Sequence, residues 1–389
     1  MLVRLLPLAM ATFAVGTDGF VIAGLLPAIA ADLDVGVATA GQLVTAFALT
    51  FAIAAPVLGA ATATLDRRRA LLAALTVFVI GNVATALAPT YEVALISRIL
   101  TAAGAGIITS TASSAGAAMV APERRGRALA TVMGGLTSAS ALGLPIGTFI
   151  GGADWRITMW AVAGVGVVAA IGIAVRLPAL SMPVPSLRDR IAYLVRPWVL
   201  VTLVPTVAAM AGTYILYTYI GVALDGATGG SAALLTVVLL LWGLGAVAGN
   251  TLVGRLTDRF DATTVLAWSV AAAVVALAVS PLVVANLLAT LVWGALWGVA
   301  VGFPTVAQQH RLVTRAPEAT PILLGLNSSA VYAGIALGGA LGGIAQTWLT
   351  PAQLGLPGAA VTVVALGFAL VRPRPARDTA PARAPSAEK

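Results

Sequence analysis

The sequence has no cysteine and one histidine, His310. Disulfides and thiolate metal sites are therefore excluded, and a single imidazole beside Arg311 argues against a metal cluster. Charge is scarce as well. Asp, Glu, Lys and Arg make up 9% of 389 residues, where a soluble globule carries about 25%. No stretch matches the phosphate-cradling pattern G-x-x-x-x-G-K-[ST], and no soluble domain could house one, so direct ATP coupling within the chain is not expected. What is abundant is apolar: 60% of residues are hydrophobic and the mean hydropathy is +1.01. The apolar runs recur in blocks of about 20, the length that crosses a bilayer as a helix. The composition reads as an integral all-α membrane protein whose solvent is the lipid bilayer. The net charge of +8 does not point to nucleic acid, because the basic residues sit in loops between apolar blocks.

Twelve spans are expected, at 6–31, 40–63, 70–88, 92–120, 127–152, 156–177, 198–222, 231–254, 263–281, 284–308, 320–346 and 352–371. Arg4, the first apolar run and Ala28-Ile29-Ala30 imitate a signal peptide, but the run is too long for one and contains Asp18, so it reads as a retained helix. The arginines set the orientation. Arg67, Arg68 and Arg69 follow span 2; Arg124, Arg125 and Arg127 follow span 4; Arg176, Arg188, Arg190 and Arg196 lie between spans 6 and 7. Arg255 and Arg259 follow span 8, Arg311 and Arg315 follow span 10, and five basic residues close the chain. With Arg4, all fall on one side, which is cytoplasmic by the positive-inside rule. The opposite loops carry Asp32, Asp34, Glu92, Asp154 and Asp225, with Arg156 as their basic residue. Both termini are expected inside.

The longest polar interruption, 178–197, separates an N-terminal bundle (1–177) from a C-terminal one (198–372), and 373–389 reads as a disordered, solvated tail. The halves resemble each other. "APERRGRALATVMGG" from Ala121 and "APEATPILLGLNSS" from Ala316 share Ala-Pro-Glu at an offset of 195 that also relates Gly143 to Gly338 and Gly147 to Gly342. A duplicated six-helix unit implies two facing bundles with a site between them near the midplane. The Gly-x-x-x-Gly pairs read as places of close helix approach.

One carboxylate lies deep. Asp18, in "FAVGTDGFVIAGLLPAIA", is about 21 Å along a helix from both Arg4 and Asp32, and an acid at mid-span costs roughly 2.5–3.5 kcal/mol on insertion scales. Kept dry and unpaired, a carboxyl holds its proton; reached by water or a cation, it ionises, as a proton carrier must. The other reading is a hydrogen-bonded brace for span 1. Arg98 is the arginine placed well inside a span, roughly 9 Å from the Glu92 end; it could instead snorkel outward or bond backbone carbonyls. The second half offers aromatics: Tyr214, Tyr217 and Tyr219 on span 7, Trp242 on span 8, and Trp293 and Trp297 on one face of span 10. Such faces, with one acid opposite, suit aromatic or amphipathic ligands. Packing or an interfacial belt is the competing reading, and it accounts better for Trp155, Trp198 and Trp348 than for Trp242 and Trp297. Thr17, Asn82, Asn327 and Tyr332 are further polar candidates, although buried Asn and Tyr often only tie helices together.

Four motifs carry a family resemblance. In "GTDGFVIAGLLPAIAADL" an acid follows Gly-Thr and a proline ends the helix. "TATLDRRRALL" after span 2 matches a cytoplasmic Gly-x-x-x-Asp-Arg-x-Gly-Arg pattern without its glycines, and "GRLTDRFD" repeats it with Gly254. "RILTAAGAG" begins at Arg98, and "GLPIGTFIGG" spans Gly143, Pro145, Gly147 and Gly151, with Leu144 splitting the usual Gly-Pro pair. Over essentially its whole length the chain resembles the major facilitator superfamily, and within it the twelve-span bacterial drug:proton antiporters near the chloramphenicol exporters and arabinose-efflux-type proteins. The resemblance implies two six-helix bundles and a cofactor-free, non-enzymatic monomer in the bacterial inner membrane. It implies alternating access that exchanges a small-molecule substrate for protons, with Arg98 helping to control protonation of Asp18. It also implies that Gly143, Pro145, Gly147 and Gly151 belong to an antiport motif. Asp66-Arg67 and Asp258-Arg259 then read as a cytoplasmic latch, against a simpler role as topology markers. A proton-coupled exporter of sugars, nucleosides or another metabolite is the nearest alternative, and a non-transporting membrane sensor a more distant one.

Overall fold

The computed structural model describes residues 2–62, 64–180 and 186–370; the expected tail, 373–389, and 181–185 of the expected linker lie outside them. Among the described residues twelve helices are long and apolar enough to cross a membrane. Spans 1–6 are Leu5–Asp32, Val37–Ala61, Arg67–Ala86, Tyr91–Ala118, Arg125–Gly151 and Trp155–Arg176. Spans 7–12 are Pro197–Tyr217, Ala232–Thr257, Ala262–Val283, Leu287–Arg315, Pro317–Ala345 and Pro351–Leu370. Their outward faces are apolar, with Val175, Leu282 and Leu356 exposed, as lipid-facing positions are. The starts are set by side-chain caps: Asp66, Thr90, Asp154, Ser231, Asp261 and Asn286 each accept a backbone N–H from the first turn of the helix that follows.

Several limits differ from the sequence expectation. Span 7 stops at Tyr217 rather than 222, and Tyr219 precedes a separate turn, Ile220–Ala223. The phenol of Tyr219 donates to Gly339 O of span 11, a tertiary bond that hydropathy does not register. Span 10 runs on to Arg315, so Arg311 and Arg315 occupy its last two turns, where cations suit the helix dipole. Arg67, Arg68 and Arg69 likewise begin span 3 rather than lie in a loop, because Asp66 caps it.

The duplication is visible in the packing. Span 5 lies against span 1 through Gly135, Gly143, Gly147 and Gly151; a Cβ on Gly147 would stand 2.6 Å from Val21 Cγ2. In the second half Gly334, Gly338 and Gly342 of span 11 do the same for span 7, and a Cβ on Gly338 would stand 2.7 Å from Tyr214 Cβ. The glycines related by the 195 offset thus seat the first helix of each bundle, with Thr17 beside one and Tyr214 beside the other. Span 5 is also widened by a π-helical turn over Ala139–Gly143. Pro145 has no N–H to give Ala141 O, and its ring would press on that carbonyl.

Apart from Tyr332, which packs on the first-half cluster, the apolar core that the two bundles share lies toward the end that carries Asp32, Asp34, Glu92, Asp154 and Asp225. There Val21–Leu33 and Ala40–Ala48 side chains pack with Tyr214, Leu224, Leu239 and Trp297. Toward the arginine-rich end, the buried clusters are separate for the two halves. Cross-half approaches lie at this end: Cβ atoms on Gly152 and Gly221 would lie 2.8 Å from Ala232 Cβ and 3.0 Å from Pro27 Cδ.

At the acid-rich end Trp155 is not a lipid-facing belt residue. It is 3% exposed, and its indole donates to Asp32 Oδ2 at 3.2 Å. Arg156 pairs with the same carboxylate, lies over the Trp155 ring at 4.5 Å and donates to Ala88 O at 2.8 Å. This clasp joins spans 1, 3 and 6. Half-exposed ion pairs contribute about 0.2–1 kcal/mol, so Asp32→Asn is expected to lower stability by about 1 kcal/mol or less, read as a small drop in melting temperature in detergent.

Candidate functional site

Asp18 and Arg98 are brought together. Span 1 carries Asp18 into the first bundle, held by the span 5 glycines and by Thr12, whose hydroxyl donates to Val132 O at 2.6 Å. Span 4 brings Arg98 alongside because it lies close to spans 2 and 3. A Cβ on Gly104 would stand 2.6 Å from Ala74 O, and one on Gly106 2.9 Å from Ala55 N. The guanidinium reaches Asp18 Oδ1 at 2.6 Å and Asp18 O at 3.3 Å. Both side chains are buried, 0% and 1% exposed, so Arg98 does not snorkel. It also sits 4.4 Å from the Phe47 ring centroid.

Chemically, this pair is a dry charge couple. Asp18 Oδ2 has no hydrogen-bond partner among the described residues, which leaves one oxygen on which a proton can sit. Protonating it would strand Arg98 as an uncompensated cation, a state that costs several kcal/mol unless the guanidinium moves or water enters. Proton uptake is therefore tied physically to rearrangement around Arg98.

The pair touches the second bundle through rings that the sequence reading did not single out. Phe47 lies 6.4 Å from Phe51, and Phe51 stacks on Tyr332 of span 11 at 3.6 Å. Phe47 and Phe51 are four residues apart, so their shared face on span 2 was a readable signal. The π-turn of span 5 is a second bridge. On one side Gly143 faces Thr17, next to Asp18. On the other, the Ser140 backbone faces Gly243 of span 8, next to Trp242.

Most of the expected aromatic set does assemble. Tyr214 lies 5.0 Å from Tyr217, Tyr217 lies 4.7 Å from Trp242, and Trp242 lies 5.9 Å from Trp297. Trp293 stacks on Trp297 at 4.9 Å but is tied to span 9 through Ala276 O at 2.8 Å, and its outer side lines a groove with Val279, Val283 and Leu296. Asn327 accepts from Thr206 at 3.0 Å, joining spans 7 and 11, and Asn82 donates to Phe78 O of its own helix. The two Asp-Arg pairs stay apart: Asp66 caps span 3, Arg67 is buried in its own half with its N–H on Leu180 O, and Asp258 and Arg259 are exposed at the end of span 8.

Twelve spans in two bundles, with a buried ion pair inside the first among the described residues, agree with what the family comparison finds. The model of the Major Facilitator Superfamily matches residues 8–225, more than half of the chain. The chain belongs to the major facilitator superfamily. The inner membrane transport protein YdhP of Escherichia coli (strain K12) is 34% identical over 341 residues, 87% of each chain. A chloramphenicol resistance protein of Streptomyces lividans is 36% identical over 259 residues, 65% of this chain and 66% of that one. In fold, an aspartate-to-alanine mutant of the nucleoside transporter NupG matches with a TM-score of 0.72 over 94% of this chain and 98% of its own, at 13% identity. As a superfamily member the protein is a multi-pass membrane transporter, and the shared core at the acid-rich end describes how its two bundles meet.

Proposed function

We propose that this superfamily member is a secondary exporter of drugs or small amphipathic solutes, driven by exchange for protons. The observation that carries the reading is the buried Asp18–Arg98 pair, the one place among the described residues where a carboxylate is dry, charge-compensated and in contact with a ring from the opposite bundle through Phe47 and Phe51. The chloramphenicol resistance relative supports the choice of drugs over metabolites. The arginine-rich end is cytoplasmic by the positive-inside rule, so both termini are inside and the membrane is the bacterial inner one. The bundles, 1–177 and 198–372, then meet on the outside and part toward the cytoplasm, a state ready to take solute from within. Asp66-Arg67 and Asp258-Arg259 close that side when the bundles rock.

The cycle is a sequence of charge states. With the outside open, a proton reaches Asp18 and solute leaves; with the inside open, solute entry accompanies proton release and the pair re-forms. One charge moving through 100 mV supplies about 2.3 kcal/mol, enough to concentrate a neutral solute. The test is a proteoliposome with an imposed pH gradient. Addition of chloramphenicol is expected to release protons, and Asp18→Asn to abolish the release. A response to nucleosides or sugars but to no aryl solute would move the protein to the metabolite class, and silence toward every solute would remove it from the transporters of this type.

A further inference from the structure

Among the buried polar groups without a hydrogen-bond partner, three donors of the second bundle sit on adjoining rings. Tyr217 Oη on span 7, Trp242 Nε1 on span 8 and Trp297 Nε1 on span 10 are buried, on residues 0%, 4% and 1% exposed, and none has a hydrogen-bond partner among the described residues. Their rings form one cluster, with centroids 4.7, 5.9 and 6.3 Å apart. Neighbouring Trp293 shows the ordinary solution, its N–H given to a backbone carbonyl. An unpaired buried donor carries a penalty that an apolar side chain of similar size would not. Three rings in mutual contact each carry such a donor, which points to something other than packing.

Their chemistry selects the match. An indole N–H only donates, so the group it receives is an acceptor: a carbonyl, nitro, sulfonyl or ether oxygen. An ammonium or phosphonium cation could lie on a ring face but offers no lone pair, so it would leave the two indole N–H groups unpaired. A full anion would lack a counter-charge, since the buried guanidinium of Arg98 is engaged by Asp18 and no cation–ring contact involves these three rings among the described residues. The cluster also borders the other bundle: Trp242 precedes Gly243, whose backbone faces Ser140 and Ala141 of span 5, so the helix that carries this ring lies at the interface of the halves. We infer that Tyr217, Trp242 and Trp297 form the recognition site for the uncharged, acceptor-bearing end of an aryl solute, and that cationic drugs are poor ligands. This rests on the transport reading above and narrows its substrate class.

The test is binding to the purified full chain in nanodiscs, with chloramphenicol, small uncharged nitroarenes and aryl ketones on one side and tetraphenylphosphonium on the other. At least one uncharged probe is expected to bind ten or more times tighter than the cation. Tyr217→Phe keeps its ring, whereas Trp242→Phe and Trp297→Phe keep a smaller one; each is expected to weaken that probe about tenfold, equivalent to about 1.4 kcal/mol, and to weaken the cation far less. Trp268→Phe, on the exposed face, serves as the control. A packing defect would weaken both kinds of probe together, so the ratio of affinities separates a lost hydrogen bond from damage to the fold. Equal affinity for the cation, no binding of any uncharged probe, or Phe variants with the wild-type ratio each overturn the inference. Flux driven by a pH gradient, measured in parallel, keeps the two readings apart. Donor-dependent binding without flux removes proton-driven export and leaves the site, whereas driven flux of the cation, equal in the Phe variants, removes the site and leaves export.

Discussion

Asp18→Ala is expected to lower stability by about 3–5 kcal/mol, because it strands the Arg98 guanidinium in a dry setting with no opposing charge. The pair is held at 2.6 Å with both side chains buried, so neither solvent nor salt can take over the missing partner. Arg98→Leu/Asp18→Ala removes both charges together and is expected to recover most of the loss, as buried pairs exchanged for apolar residues often do. Asp18→Asn is milder, since its amide oxygen still accepts from Arg98 Nη1. Thermal unfolding in detergent reads the three stabilities, and a pH-jump assay in proteoliposomes reads the coupling. All three variants are expected to lose pH-driven accumulation, whatever their stability. A double variant as fragile as Asp18→Ala would mean that the charge couple is not what the single change breaks. An Asn variant that still extrudes solute against a gradient would sink the proposed role of this carboxyl.

The second large effect separates two kinds of glycine. Gly243 and Gly298 both face backbone: Cβ atoms there would lie 2.7 Å from Ser140 C and 2.8 Å from Trp242 C. Gly243 meets the opposite bundle, whereas Gly298 meets span 8 of its own. Overpacking costs about 1–3 kcal/mol. For Gly243→Val that cost falls on the present arrangement of the halves alone, and an equilibrium between two arrangements shifts by about 5- to 150-fold. For Gly298→Val it falls on every folded arrangement. The chain has no native cysteine, so spin labels at Asp34→Cys and Asp225→Cys report the acid-rich end cleanly. Gly243→Val is expected to lengthen that distance with little change in melting, and Gly298→Val to lower the melting temperature with the distance unchanged. Identical behaviour of the two variants would contradict the assignment of Gly243 to an interface that opens.

Much of the scaffold was legible in the sequence. Twenty-residue apolar blocks report length, and length is what a bilayer demands, so the number of spans could be read directly. Asp18 stood out because an isolated acid is conspicuous against lipid-compatible neighbours. Its partner was harder: sequence depth places Arg98 along span 4, but which way the side chain turns depends on how Gly104 and Gly106 let that helix sit against spans 2 and 3. The ends drifted for the same reason. Tyr219 looked like part of span 7 because it is apolar enough, yet its hydroxyl is drawn to Gly339 O, and Trp155 looked like a belt residue because only tertiary contact reveals Asp32 beneath it. The shared face of Phe47 and Phe51 could have been read from their spacing, but the contact of Phe51 with Tyr332 crosses between halves and has no expression in a linear pattern. The aromatic set was found as residue types at helical spacing, while the split between Trp293, whose N–H is satisfied, and Trp297, whose N–H is not, required coordinates.

Spans 8 and 10 touch through Gly245 and Gly249 on one side and Gly298 and Gly302 on the other, each facing a carbonyl of its neighbour. A seam of this kind tolerates almost no drift, since any added carbon meets main chain rather than a yielding side chain. Sequence change that preserves the fold is thereby channelled away from this seam and into the side chains that the two helices turn elsewhere.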